Sequence, residues 1–245
     1  MVELQNIVVG FSDQNILDGV NLKIKDGEIL SIVGMSGTGK SVLLKTTLGL
    51  IPHKGGQIIF DDLDISKFTE EEYDLKVRNK MSMIFQAGAL LDSLTILQNV
   101  KLALIHRKDL SDEAKKKMAI ESLEMVGLNN VESKYPEELS GGMIKRAAIA
   151  RGIVSKPKYL FYDEPTTGLD PVLSNLINNL IHKLGKELNI TTMLITHDVY
   201  GAEKISDRIA MLYRGKIILT CPADEMWNQK NETFNNFIHG KVEFK

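Results

Sequence analysis

The sequence predicts an α/β fold: a mainly parallel sheet with helices on its faces, and a helical stretch set into its middle. Three observations predict it. Short apolar runs, suited to strands buried on both faces, alternate with helical patterns towards both ends of the chain. The stretch from about residue 94 to 152 has helical character and few strand signals. The 245 residues are enough for one large domain, or one domain carrying a smaller insertion.

Taken in order, residues 2–9 and 16–24 read as strands, joined by a turn at Asp13-Gln14-Asn15. Lys25-Asp26-Gly27 turns the chain again, and 29–33 is a nearly continuous apolar strand. A glycine-rich loop follows, then a helix from about Lys40 to Leu50. Residues 57–60 and 81–85 are further strands. Ser111-Asp112-Glu113 starts a helix whose Ala119, Ile120, Leu123 and Val126 share a face and which Gly127 ends. Lys115-Lys116-Lys117 lies beside that face and reads as solvated. A helix over 143–154 and a strand over 159–162 come next. Leu173, Leu176, Ile177, Leu180, Ile181, Leu184 and Leu188 then recur at helical spacing. Residues 192–196 form another buried strand, and 207–213 with 216–219 form a hairpin around Arg214-Gly215. The tail ends in one or two short helices.

Composition narrows the class. Apolar residues at 43% and charged residues at 25% are ordinary for a soluble globular domain. A net charge of −2 gives no reason to expect nucleic acid as a partner. The one cysteine, Cys221, can form neither an internal disulfide nor a cysteine-based zinc site, and points to a reducing cytosol. There is no secretory signal, and no run approaches the ~20 apolar residues of a spanning helix. If this protein serves a membrane, another chain does the spanning.

The chemistry-bearing residues come in pieces. Gly34-Met35-Ser36-Gly37-Thr38-Gly39-Lys40-Ser41 fits the P-loop pattern, with a buried strand before it and a helix after it. Its glycines let backbone N–H groups turn towards phosphates. Lys40 would neutralise the β- and γ-phosphates of ATP, and the Ser41 hydroxyl would ligate Mg²⁺. Asp163-Glu164 stands at the C-terminal end of a strand, where α/β sheets bind ligands. Asp163 would hold Mg²⁺ and Glu164 would act as general base towards water. Leu139-Ser140-Gly141-Gly142 precedes a helix, placing a hydroxyl and free N–H groups at its positive end. The residues alone leave two readings open there: phosphate binding, or an ordinary N-cap. Gln86 and His197 each follow a strand, where Gln86 would reach the metal or the water and His197 would hydrogen-bond the γ-phosphate, though a lone Gln or His in such a place is more often structural.

The order P-loop, Gln86, Leu-Ser-Gly-Gly, Asp163-Glu164, Asp170 and His197 resembles the nucleotide-binding domain of ABC transporters along nearly the whole chain. The resemblance implies a RecA-like P-loop NTPase core with an N-terminal antiparallel β subdomain (about 1–87 and 153–230), a helical subdomain (about 88–152) and a tail (231–245). It implies ATP hydrolysis with Mg²⁺ by a homodimer. Gly34, Ser36, Gly37, Thr38, Gly39, Lys40, Ser41 and Val42 would hold phosphate, and Ser41, Gln86 and Asp163 would hold the metal. Gln86 becomes the Q-loop glutamine, Asp170 the D-loop aspartate and His197 the switch histidine. Ser140, Gly141 and Gly142 become the signature that meets ATP on the opposite subunit. Phe11 falls where the family stacks an aromatic ring on adenine; a core or turn phenylalanine is the competing reading.

Met143 stands where most members have glutamine, leaving open how that end of the signature is hydrogen-bonded, and Gly168 stands where alanine is usual. Met143, the segment 85–95 and residues 237–244 resemble the ATPase subunits of Mla-type lipid transporters. That narrower resemblance implies a lipid-handling MlaE-like permease, an MCE-domain (MlaD-like) protein, a STAS-domain (MlaB-like) protein, and a peripheral place on the cytoplasmic face of the inner membrane. Residues 88–94 are the candidate permease contact. The alternatives are an ABC ATPase for another small solute and a soluble DNA-repair-type ABC ATPase; the latter usually carries long coiled coils, and no sustained heptad occurs here.

Overall fold

Among the described residues, ten strands divide between two sheets in the structure, a computed structural model. It describes residues 1–11 and 14–241, except for the side chain of Phe11. The first sheet is antiparallel, in the order β2-β1-β4-β5: β1 is Val2–Phe11, β2 Gln14–Ile24, β4 Gly55–Phe60 and β5 Leu63–Asp64. The second runs β10-β9-β3-β8-β7-β6, built from β3 (Ile29–Val33), β6 (Met81–Ile84), β7 (Tyr159–Asp163), β8 (Thr191–Ile195), β9 (Arg208–Tyr213) and β10 (Lys216–Pro222). Its neighbours are parallel except for β10, which returns antiparallel from β9 through Arg214-Gly215. Every residue of β3, β7 and β8 is buried, as their mostly apolar runs suit strands covered on both faces.

The helices are α1 (Lys40–Thr47), α2 (Glu70–Lys76), α3 (Ile96–Lys101), α4 (Asp112–Met125), α5 (Gly141–Ile153), α6 (Pro171–Glu187), α7 (Val199–Ile205) and α8 (Glu232–Ile238). Between β6 and β7 the chain is helical, without a strand, and α3, α4 and α5 pack on one another through Ile96, Val100, Leu123 and Ile149. One core lies between the antiparallel sheet, α1 and a face of the parallel sheet. A second joins the opposite face to α5, α6 and the other helices of the middle segment. A third seats α7 and α8 against β9 and β10.

Several expected boundaries shift. Gln14 and Asn15 belong to β2, paired with Phe11 and Gly10, so the turn there does not include them; Asp13 lies outside the described residues. Helix α1 stops at Thr47 rather than near Leu50, because Gly49 turns left-handed and its N–H caps Thr46. Helix α5 begins at Gly141, not Met143, since Ser140 caps it and draws both glycines into its first turn. Helices α2 and α7 and the short β5 were not anticipated.

Candidate functional site

Four neighbouring parallel strands, β3-β8-β7-β6, end at one edge of the sheet and deliver the motif residues there. Strand β3 leads into loop 34–39, β8 into His197, β7 into Asp163 and Glu164, and β6 into Gln86. Strand β3 also separates β9 from β8, so the chain moves to opposite sides of it, the place where open α/β sheets bind ligands.

The loop owes its shape to close quarters. A Cβ on Gly34, at φ 151, would meet the Leu212 carbonyl oxygen at 2.4 Å. Gly39, at φ 99, caps α1 without a side chain, so no side chain competes for the first-turn N–H groups. Met35, Ser36 and Gly37 are exposed at the crown, Thr38 ties back to the Met35 oxygen at 2.9 Å, and Val42 packs into the first core. Lys40 is buried, and its ammonium donates to the oxygens of Gly34 and Met35 at 2.9 and 3.0 Å. Burial pulls its pKa below the ordinary lysine value, opposed by the nearby charges of Glu164 and Asp163.

Ser41 donates to Asp163 Oδ1 at 2.9 Å, so a hydroxyl and a carboxylate stand side by side. No cluster of three His, Cys, Asp or Glu able to hold a metal occurs among the described residues. Two hard oxygen donors without a protein cage fit Mg²⁺, which keeps waters and takes phosphate oxygens.

Glu164 follows directly, with φ 49, a left-handed conformation uncommon for a non-glycine residue. Three contacts hold it: its N–H donates to Ile195 O at 2.9 Å, Thr167 Oγ1 donates to its Oε2 at 2.9 Å, and His197 Nδ1 lies 3.3 Å from the same oxygen. His197 is exposed, but the loop beneath it is fixed. The Asp198 N–H donates to Thr196 Oγ1, and the Asp198 carboxylate accepts from the Gly201 N–H and from Asn178. A cleft of about 400 Å³ opens beside His197, lined also by Thr167, Gly168, Leu169, Asp198 and Tyr200.

The remaining candidates stand apart. Ser140 accepts from the Met143 N–H at 3.4 Å as the N-cap of α5. Gly141 and Gly142 pack beside Leu169 and Leu173, near Asp170, and among the described residues they share no hydrogen bond with loop 34–41. Asp170 caps α6 by accepting from the N–H groups of Val172 and Leu173 at 2.8 and 2.9 Å. The Gln86 side chain is exposed, while its main-chain oxygen accepts from Lys145. The Phe11 side chain and the end of 237–244 beyond Lys241 lie outside the described residues. Sequence reasoning missed Thr167 and the fully buried Asn99, whose amide donates to the oxygens of Leu91, Leu94 and Thr95 and shapes the exposed 91–93 loop. Only Thr167 had a signal, its place three residues after Glu164.

The family profile described as ABC transporter matches residues 17–167, which hold the P-loop, Gln86, the Ser140 cap and Asp163-Glu164. The chain belongs to the ABC transporter family. It is an ATPase subunit of that family, with the α/β fold of its ATP-binding cassettes. It is 34% identical to the "Intermembrane phospholipid transport system ATP-binding protein MlaF" of Haemophilus influenzae, over 98% of this chain and 91% of that one. It is 38% identical to the "Methionine import ATP-binding protein MetN 1" of Oenococcus oeni, over 89% of this chain and 63% of that one. Among solved structures, the dimeric ATP-binding cassette MJ0796 bound to ADP and Pi matches with a TM-score of 0.82 and 33% identity, covering 91% of this chain and 99% of that one. No helix of the described residues is long and apolar enough to cross a membrane.

Proposed function

We propose that two copies of this ABC ATPase close around two MgATP molecules and, through a separate MlaE-like permease, power the transport of phospholipid. The observation that carries the hydrolytic part is the contact chain at one sheet edge: Lys40 on the loop oxygens, Ser41 on Asp163, and Glu164 against Thr167 and His197. In this reading Lys40 exchanges its carbonyl partners for phosphate oxygens. Ser41, Asp163 and Gln86 hold Mg²⁺, which when bound offsets phosphate charge. Glu164 orients a water and takes its proton at Oε, while His197 hydrogen-bonds the γ-phosphate. The Ser140 cap, set apart from loop 34–41, serves the nucleotide of a second copy; the dimeric state of MJ0796 supports that geometry. Residues 88–152 act as the helical subdomain and 88–94 as the permease contact, Leu91 being 49% exposed there.

The lipid reading is supported by the near full-length likeness to MlaF. It brings with it MCE-domain and STAS-domain partners, and a peripheral place for this chain on the cytoplasmic face of the inner membrane. The likeness to the methionine importer favours a second reading, an ABC ATPase for another small solute. Affinity capture from detergent-solubilised native membranes, with mass spectrometry of proteins and lipids, separates them. Recovery of an MlaE-like permease with an MCE-domain protein and phospholipid is expected. An unrelated permease would remove the lipid reading, and a DNA-bound partner set would remove transport itself.

A further inference from the structure

Two cations of α5 grip the chain just after β6. Lys145 is buried at 7% exposure, and its ammonium donates to the main-chain oxygen of Gln86. Arg151, further along the same helix, donates to the oxygens of Gly88 and Ala89 at 2.7 and 2.6 Å. No carboxylate pairs with either cation among the described residues. Burial pulls both pKa values down, uncompensated by any neighbouring charge. The backbone is shaped to be gripped. Gly88 at φ 79 and Ala89 at φ 50 curl left-handed, and a Cβ on Gly88 would meet Ile144 Cγ2 of α5 at 3.2 Å.

A desolvated ammonium with one carbonyl partner is a costly way to fill space, where an apolar side chain would serve. What it supplies is register: the oxygen of one residue, Gln86, is fixed to one residue of α5. The same helix begins at the Ser140 cap. We infer that Lys145, supported by Arg151, is a positioning residue that fastens Gln86 to α5, so that Gln86 and the Ser140 cap move as one body during turnover. This rests on the reading that Gln86 and Ser140 act in ATP hydrolysis.

The test uses the full chain with Lys145→Met, Lys145→Arg, Gln86→Ala and the Lys145→Met/Gln86→Ala double variant. ATP affinity, KM, kcat with MgATP and the melting temperature are read for each. Lys145→Met is expected to lower kcat about tenfold while affinity and KM stay within about twofold. Lys145→Arg, which keeps a charged donor, recovers most of the rate. The double variant is no slower than Gln86→Ala alone, because both changes remove one function. Normal kcat in Lys145→Met, failure of rescue by arginine, or losses that multiply in the double variant would each overturn the inference. A normal kcat in Gln86→Ala would instead remove the role given to Gln86 and the inference with it, whereas a slow Gln86→Ala beside a normal Lys145→Met removes the positioning role alone. Should Lys145→Met fail to fold, Arg151→Gln carries the test through the other two carbonyls, and normal kcat there overturns the inference.

Discussion

Lys40 carries opposed demands in one side chain. Its ammonium is buried and leans on two loop carbonyls rather than on a carboxylate. Burial depresses its pKa, a desolvation cost that a bound phosphate would relieve. Lys40→Met should therefore leave the nucleotide-free protein at least as stable in thermal melts. The same change should weaken ATP binding by about a hundredfold, since a charge-assisted phosphate contact is lost. A variant that melts lower and still binds would show that the ammonium is structural. Lys40, Ser41 and Asp163 were legible in the sequence because each sits in a motif whose spacing needs a strand and a helix around it. Asn99 and Lys145 were not, because their partners are main-chain oxygens chosen by the fold, and Thr167 offered only its place three residues after Glu164.

Helix starts are the elements on which residue and fold meet most directly. Asp170 accepts two N–H bonds at the start of α6, whose Ile177, Ile181 and Leu184 pack into the second core. Asp170→Ala should cost about 1 kcal/mol by urea denaturation, whereas Asp170→Asn should stay within a few tenths. Equal midpoints for alanine and the parent chain would mean the cap is not holding the helix. The apolar spacing of α6 announced it, and the Ser111 cap announced α4. Helix α2 went unread although Thr69 and Glu72 form a capping box, because behind the box only Tyr73 is buried and no apolar period follows. At α5 the two glycines argued against helix on propensity, and the Ser140 cap overrode them. Strand β5, at two residues, has no period to read.

At the scale of the molecule, Asp61 joins the two sheets, and the proposed role of Glu164 would join the site to assembly. Asp61 follows β4 of the antiparallel sheet and accepts from Tyr159 of β7, from Lys158 and from the terminal ammonium. Burial pushes its carboxyl up, but those three donors outweigh it and hold the pKa well below the ordinary 3.8. A carboxyl depressed on folding adds stability above its ordinary value and loses it as pH falls below that value towards the folded one. Asp61→Asn should thus lower the melting temperature at neutral pH and flatten its fall below about pH 4. An unchanged acid limb would remove Asp61 as the clasp. Under the proposed function, Glu164 governs the larger event. If it is the base, Glu164→Gln keeps the shape of the side chain and its contact with Thr167 while removing the proton acceptor. ATP binding then survives and hydrolysis does not, so the ligand that favours the closed pair is never consumed. Size-exclusion chromatography with light scattering should find Glu164→Gln dimeric in MgATP and monomeric in MgADP, while the parent chain returns to monomer as its ATP is spent. Turnover near normal in Glu164→Gln would take the base role from Glu164. Lost turnover without a trapped dimer would leave the chemistry in place and remove the ATP-held closure that links hydrolysis to movement of a permease.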